Sequence, residues 1–130
     1  MERIAWIMAA AFGFLAVGLG AFGAHGLGPI FARAADSAKR VEWWQTGAHY
    51  HLTHALALGL SAVMLSRTQD RAVSVAVYAF ALGILFFSGS LYTMALTGVR
   101  ALGAVTPIGG LCFLVGWGAL AVAAFRMARG

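Results

Sequence analysis

The sequence predicts an all-α polytopic membrane protein, a four-transmembrane-helix bundle with a short interfacial helix before the second span. Composition is the first observation behind this. Apolar residues make up 62% of the 130 residues and charged residues 10%, against roughly 45–50% and about 25% in an average globular chain. Nine basic and four acidic side chains are too few to cover a soluble domain, so hydrocarbon must replace water around most of the surface. Charge placement is the second. Charges fall only at 2–3, 33–42, 67–71, 100 and 126–129. They leave uncharged stretches at Ile4–Ala32, Trp43–Ser66, Ala72–Val99 and Ala101–Phe125, each longer than the roughly 20 residues a helix needs to cross the bilayer. The net charge of +5 comes from basic residues at the span ends and forms no stripe. It therefore points to anionic head groups and excludes a nucleic-acid partner.

One integral membrane domain, 1–130, is expected, with spans near 4–24, 43–66, 72–96 and 102–125. Span 1 lines one face with Ala9, Gly13, Ala16, Gly20 and Ala24, a spacing that permits close approach of another helix. Its apolar run exceeds the about 7–15 residues of a signal-peptide core, so it is read as a retained span. His25-Gly-Leu-Gly-Pro29 should break the helix into a loop reaching about Ala35, because the residue before proline disfavours the helical region. Asp36 or Ser37 is the expected N-cap of the next helix. That helix begins as the interfacial segment DSAKRVEWWQ, with Trp43 and Trp44 at the membrane boundary. Arg67–Arg71 makes a short hairpin to span 3, and Thr97–Arg100 turns the chain into span 4. Pro107 in the first half of span 4 should kink it. Gly83, Ser90 and Thr97, a heptad apart, should share a packing face with hydrogen-bonding capacity.

An even span count places both termini on one side with Arg3, Arg67, Arg71, Arg126 and Arg129, against Arg33, Lys39, Arg40 and Arg100 on the other. Five against four is too small a bias to fix orientation by itself; the expectation is that the termini lie in the cytoplasm.

The histidines are the chemical lead. Gly47, His51, His54, Leu58, Ser61 and Leu65 share one helical face by the 3.6-residue period, and His49 points nearly opposite. His54 heads the run HALALGL and is expected near the water boundary, facing another helix. His25 ends span 1 at the boundary where span 2 begins, so His25, His51 and His54 are positioned to converge if the two spans pack. Imidazoles in this pattern suit a metal site or a proton relay. The favoured reading is that they hydrogen-bond carbonyls, hydroxyls or interfacial water and so hold helices together. Ser88 and Ser90 lack a nearby base for nucleophilic chemistry, and the lone Cys112, within span 4, is read as inert.

GAFGAHGL (20–27), YHLTHALAL (50–58), FFSGSLYTMALTG (86–98) and TPIGGLCFLVGW (106–117) together resemble the domain of unknown function 423 family of YgdD- and YwdK-like proteins, related to animal transmembrane protein 256. The resemblance covers nearly the whole chain in order. It implies a small multi-pass protein of the bacterial inner membrane with about four helices. The positions matching its blocks are His25, His54, Gly89, Ser90, Tyr92, Pro107, Gly109, Gly110 and Trp117. It narrows the histidine cluster to a His25–His54 pair as the metal or ligand candidate, and it carries no established activity.

Two functions are therefore expected. The favoured one is a non-enzymatic accessory, assembly or helix-packing module, with the lipid bilayer and a homo-oligomer or larger membrane complex as partners. The alternative is a membrane protein that handles a small ligand, a metal or haem, or protons through His25 and His54. The sequence requires no cofactor.

Overall fold

The structure, a computed structural model, describes residues 1–129. It is all-helical, with no strand among the described residues. Helix α1 spans Glu2–His25 and is followed by a five-residue helix α2, Leu27–Phe31. α3 runs unbroken over Ser37–Leu65. α4 (Arg71–Gly83) passes through a π-helical segment, Ile84–Ser88, directly into α5 (Gly89–Thr97). A 3₁₀ segment, Arg100–Ala104, leads into α6, Thr106–Met127.

Three of these rods are long and apolar enough to cross a membrane: α1, the continuous α4–α5 rod, and α6 with its 3₁₀ lead. α3 is 29 residues long but is not among them. Lys39, Arg40, Glu42, Gln45 and three histidines dilute its composition. DSAKRVEWWQ forms no separate interfacial helix; it is the opening of α3.

The expected loop after His25 is largely helical. Pro29 is the third residue of α2, where its missing N–H is one of the donors that a helix start leaves free in any case. Leu27 and Phe31 anchor the segment by packing with Trp44, Tyr92 and Ala95. Pro107 is corrected in the same way. The 3₁₀ segment takes up the residues after Arg100, so α6 begins at Thr106 and Pro107 falls in its first turn. A proline there needs no kink.

α4–α5 is the central rod, packed by α3 on one side and α6 on another, while α1 leans mainly on α3. The main core joins Leu58, Val77, Phe80, Ile84, Phe113 and Leu120. Outward faces are apolar, and Phe14 is 81% exposed, a surface only lipid or another membrane segment can cover. The small-residue stripe of α1 is only partly used. Ala16 is buried, but Gly13 and Gly20 face open space.

Ion pairs clamp both ends. Asp36 occupies the predicted N-cap position of α3, yet its carboxylate makes no capping bond. It accepts instead from Arg40 Nε at 2.8 Å and pairs with Arg100 at 3.5 Å. Arg40 also donates to the Ala95 carbonyl at 3.2 Å, at the negative end of α5. The Arg40 hydrogen bond holds the Asp36 carboxyl below its ordinary pKa. At the opposite end, Asp70 caps α4 by accepting from the Ala72 N–H at 2.8 Å and takes Arg126 of α6 at 3.1 Å. The Ala72 N–H first, then Arg126, lowers the Asp70 pKa. Tyr78 near the start of α4 reaches Met1 at 3.5 Å, which puts the N-terminus at this same end. Gly98 closes α5 in the left-handed region, φ 76°, a conformation glycine adopts without strain.

Candidate functional site

The predicted inner face of α3 is the buried one. Gly47, His51, His54, Leu58, Ser61 and Leu65 are all enclosed, and His49 is exposed. Depth is where the sequence expectation fails. His51 meets Phe12 edge-on, ring centroids 5.8 Å apart, at the middle of α1. His54 lies among Phe80 of α4 and Phe113 of α6. Both imidazoles therefore sit half-way along the packed rods rather than at a boundary.

His54 uses both ring nitrogens. Nδ1 lies 2.7 Å from the Tyr50 carbonyl, which can only accept, so Nδ1 carries the proton. Trp117 Nε1–H, which can only donate, points at Nε2 from 3.3 Å. The two partners fix one neutral tautomer. The ring also lies flat on Phe113, centroids 3.4 Å apart and 10° from parallel. α3 and α6 make little direct backbone contact. His54, Phe113 and Trp117 bridge the gap and leave beside them a lateral groove of about 610 Å³, walled by Tyr50, Phe87, Pro107 and Gly110.

His51 is 3% exposed and faces the other way, toward α1 and α5. Nδ1 is 3.3 Å from the Tyr92 hydroxyl, and Nε2 has no hydrogen-bond partner. The Phe12 backbone is near this ring but outside hydrogen-bonding geometry. The Ser88 hydroxyl, wholly buried on the π segment, is also unpartnered. A chamber of about 180 Å³ lies here between α1, α3 and α5, and His51 and Tyr92 line it.

Ser90, Pro107, Gly109 and Gly110 form the joint between α5 and α6. Ser90 donates to the Phe87 carbonyl at 2.9 Å. Its single proton is thereby committed, so Thr106 is the donor in their 2.7 Å contact. Gly109 lies so close to Phe87 that a Cβ would collide with the Phe87 backbone. Gly110 passes under the Phe87 ring.

His25 is not part of either cluster. Phe22 and Gly23 pack on Trp44, so His25, which is exposed, lies beside the first turns of α3. His54 is ten residues beyond Trp44, roughly 15 Å along the helix at 1.5 Å per residue. The His25–His54 pair expected as a metal candidate is thus not assembled. No group of three His, Cys, Asp or Glu among the described residues is placed to hold a metal. His51 and Ser88 are candidates by sequence, but their unpartnered atoms and the π segment are not legible in it. A helix-period pattern cannot signal a π insertion, because the extra residue carries no side-chain mark.

The family described as "Protein of unknown function (DUF423)" matches residues 19–110. The chain belongs to this family. The DUF423 match takes in His51, His54, the π segment and the Gly109-Gly110 joint, and stops before Trp117. The UPF0382 inner membrane protein YgdD of Escherichia coli K12 is 43% identical over 129 residues, 98% of this chain and 94% of that protein. The UPF0382 membrane protein YwdK of Bacillus subtilis is 42% identical over 122 residues, 92% of this chain and 94% of that one. The UPF0382 membrane protein SSP2132 of Staphylococcus saprophyticus is 42% identical over 121 residues, with 93% and 96% coverage. No solved structure is significantly similar. With its three apolar rods, this DUF423 chain is a membrane protein.

Proposed function

We propose that the chain crosses the bacterial inner membrane four times, with both termini in the cytoplasm, and serves as a non-enzymatic packing or assembly module. One observation carries the reading: the hydrogen-bonding groups of His54 and Ser90 are consumed within the protein, partly in bonds that join helices. His54 gives one nitrogen to Tyr50 and the other to Trp117, and Ser90 is committed to Phe87 and Thr106. Neither is left free as a nucleophile, base or ligand.

The fourth crossing, by α3, is supported by an inside-out distribution of polarity. Its polar face is buried, and Leu52, Leu56, Leu60 and Val63 are turned outward. Average hydropathy weighs buried and outward residues alike, whereas the outward face of α3 beyond Thr53 is carried by Leu56, Leu60 and Val63, with His49 and Thr53 exposed nearer its start.

Purified chain reconstituted in liposomes should move neither protons nor solutes, and mild-detergent extracts should yield it in an assembly of defined stoichiometry by native mass spectrometry. A monomer that by itself dissipates a proton gradient overturns the module. Cysteine-accessibility labelling tests the topology separately: Leu56→Cys labelled by a membrane-impermeant maleimide removes the α3 crossing.

A further inference from the structure

The His51 chamber has a property the groove lacks: hydrogen-bonding capacity that the protein leaves unfilled. Tyr92 and His51 share one contact, which can be protonated in two ways. If Nδ1–H donates to Tyr92, both the phenolic proton and Nε2 are left unmatched. If the Tyr92 O–H donates to Nδ1, only Nε2–H is unmatched. Buried unmatched polar groups are costly, so the second arrangement is favoured, and the orphan group is a donor. His51 lines the chamber, and its orphan donor has the Phe12 backbone near it but not hydrogen-bonded, so an acceptor entering the chamber would satisfy it.

Which acceptor follows from depth and shape. Apart from His51 and Tyr92 the walls are apolar, with Phe12, Leu15 and Leu85 among them. Leu85 is 57% exposed, so access is from the outer, lipid-facing side. Phospholipid ester carbonyls lie at the edge of the hydrocarbon, about 15 Å from its centre for a core about 30 Å thick. His51 sits level with the middle of α1, out of their reach. A carbonyl arriving at that depth must belong to a neutral molecule dissolved in the membrane. At about 180 Å³ the chamber accommodates a single six-membered ring, since a cavity of about 150 Å³ accepts benzene. The adjoining π segment is a feature that recurs at functional sites.

From the unpartnered nitrogen, the apolar lipid-facing chamber and its mid-membrane depth, we infer that this site binds the head ring of a quinone-type lipid, with His51 Nε2–H donating to a ring carbonyl and the tail leaving past Leu15 and Leu85. The depth argument rests on the four-crossing topology proposed above. The binding itself is read in solution, so the two fail separately.

The test titrates full-length protein in detergent micelles, labelled with ¹⁵N-histidine, with decylbenzoquinone. The expected result is a saturable shift of the His51 Nε2–H resonance. Decylbenzene, which has the ring and tail without carbonyls, should compete weaker by about tenfold or more. His51→Phe should lose the binding. Leu85→Trp, which fills the chamber from an exposed position and keeps His51, should lose it as well and decides the matter if His51→Phe does not fold. Leu114→Trp, in the other groove, should bind as the parent does. The inference is overturned if no saturable shift occurs, if Nε2–H exchanges with water unaffected by the quinone, if decylbenzene competes equally, or if Leu85→Trp binds normally.

Discussion

The indole of Trp117 on α6 and the imidazole of His54 on α3 meet across a gap that their own helix backbones do not close, N–H to nitrogen at 3.3 Å. Trp117→Phe removes this donor and keeps the ring. Interhelical hydrogen bonds in membranes average about 0.6 kcal/mol and reach about 1.7, so a loss in that range is expected in reversible unfolding from mixed micelles. His54→Ala should cost more, because it also empties the space on Phe113. In the double variant the Trp117 effect should vanish; if the two losses simply add, the hydrogen bond contributes nothing.

Gly109 and Gly13 make a paired test of helix spacing. Gly109→Ala drives a methyl into the Phe87 backbone, and overpacking of this kind costs about 1–3 kcal/mol. Gly13 faces open space, so Gly13→Ala should be neutral or stabilising by up to about 1 kcal/mol through helix propensity. Melting temperatures in one detergent check both. Equal effects from the two substitutions would contradict the close approach of α6 to the π segment.

Pro107→Ala should change stability little, since the proline ring occupies the first turn of α6. A proline placed inside the same helix, Val115→Pro, should cost about 3 kcal/mol or more. A large loss from Pro107→Ala would show that the ring shapes the joint instead of merely starting the helix.

The pH response should come from the helix ends. Asp36 and Asp70 are both held below the ordinary aspartate pKa by their hydrogen-bond and ion-pair partners. A depressed carboxyl contributes stability above its unfolded pKa and loses it as pH falls through the folded value. The contribution of these two carboxyls should therefore be complete at neutral pH and be lost below about pH 4, near the unfolded pKa of aspartate. Asp70→Asn should flatten part of that decline, and a variant that declines as steeply as the parent would remove Asp70 from the account.

Much of this arrangement was legible in the sequence, for identifiable reasons. The buried face of α3 follows from the helical period, and all six positions from Gly47 to Leu65 lie inward. The joint residues were picked out as a group by family resemblance, but not as neighbours in space. Depth was misjudged because the polar run TGAHYHLT reads as water-facing. Buried polarity and exposed polarity look the same in a list of residues, and only packing separates them. The expected shared face of Gly83, Ser90 and Thr97 holds across the π segment at Ile84–Ser88 but not to the end of α5. Gly83 and Ser90 are buried while Thr97 is exposed.

The inside-out polarity of α3 has a consequence for biogenesis. Under the four-crossing topology, a nascent segment 37–65 leaving the translocon alone would present His51, His54 and Ser61 to acyl chains. Its stable integration must wait until α4–α5 has been synthesised to shelter them. A chain truncated after Leu65 should therefore be retained at the insertion machinery or slip out of the bilayer, even though it already contains every residue of that helix.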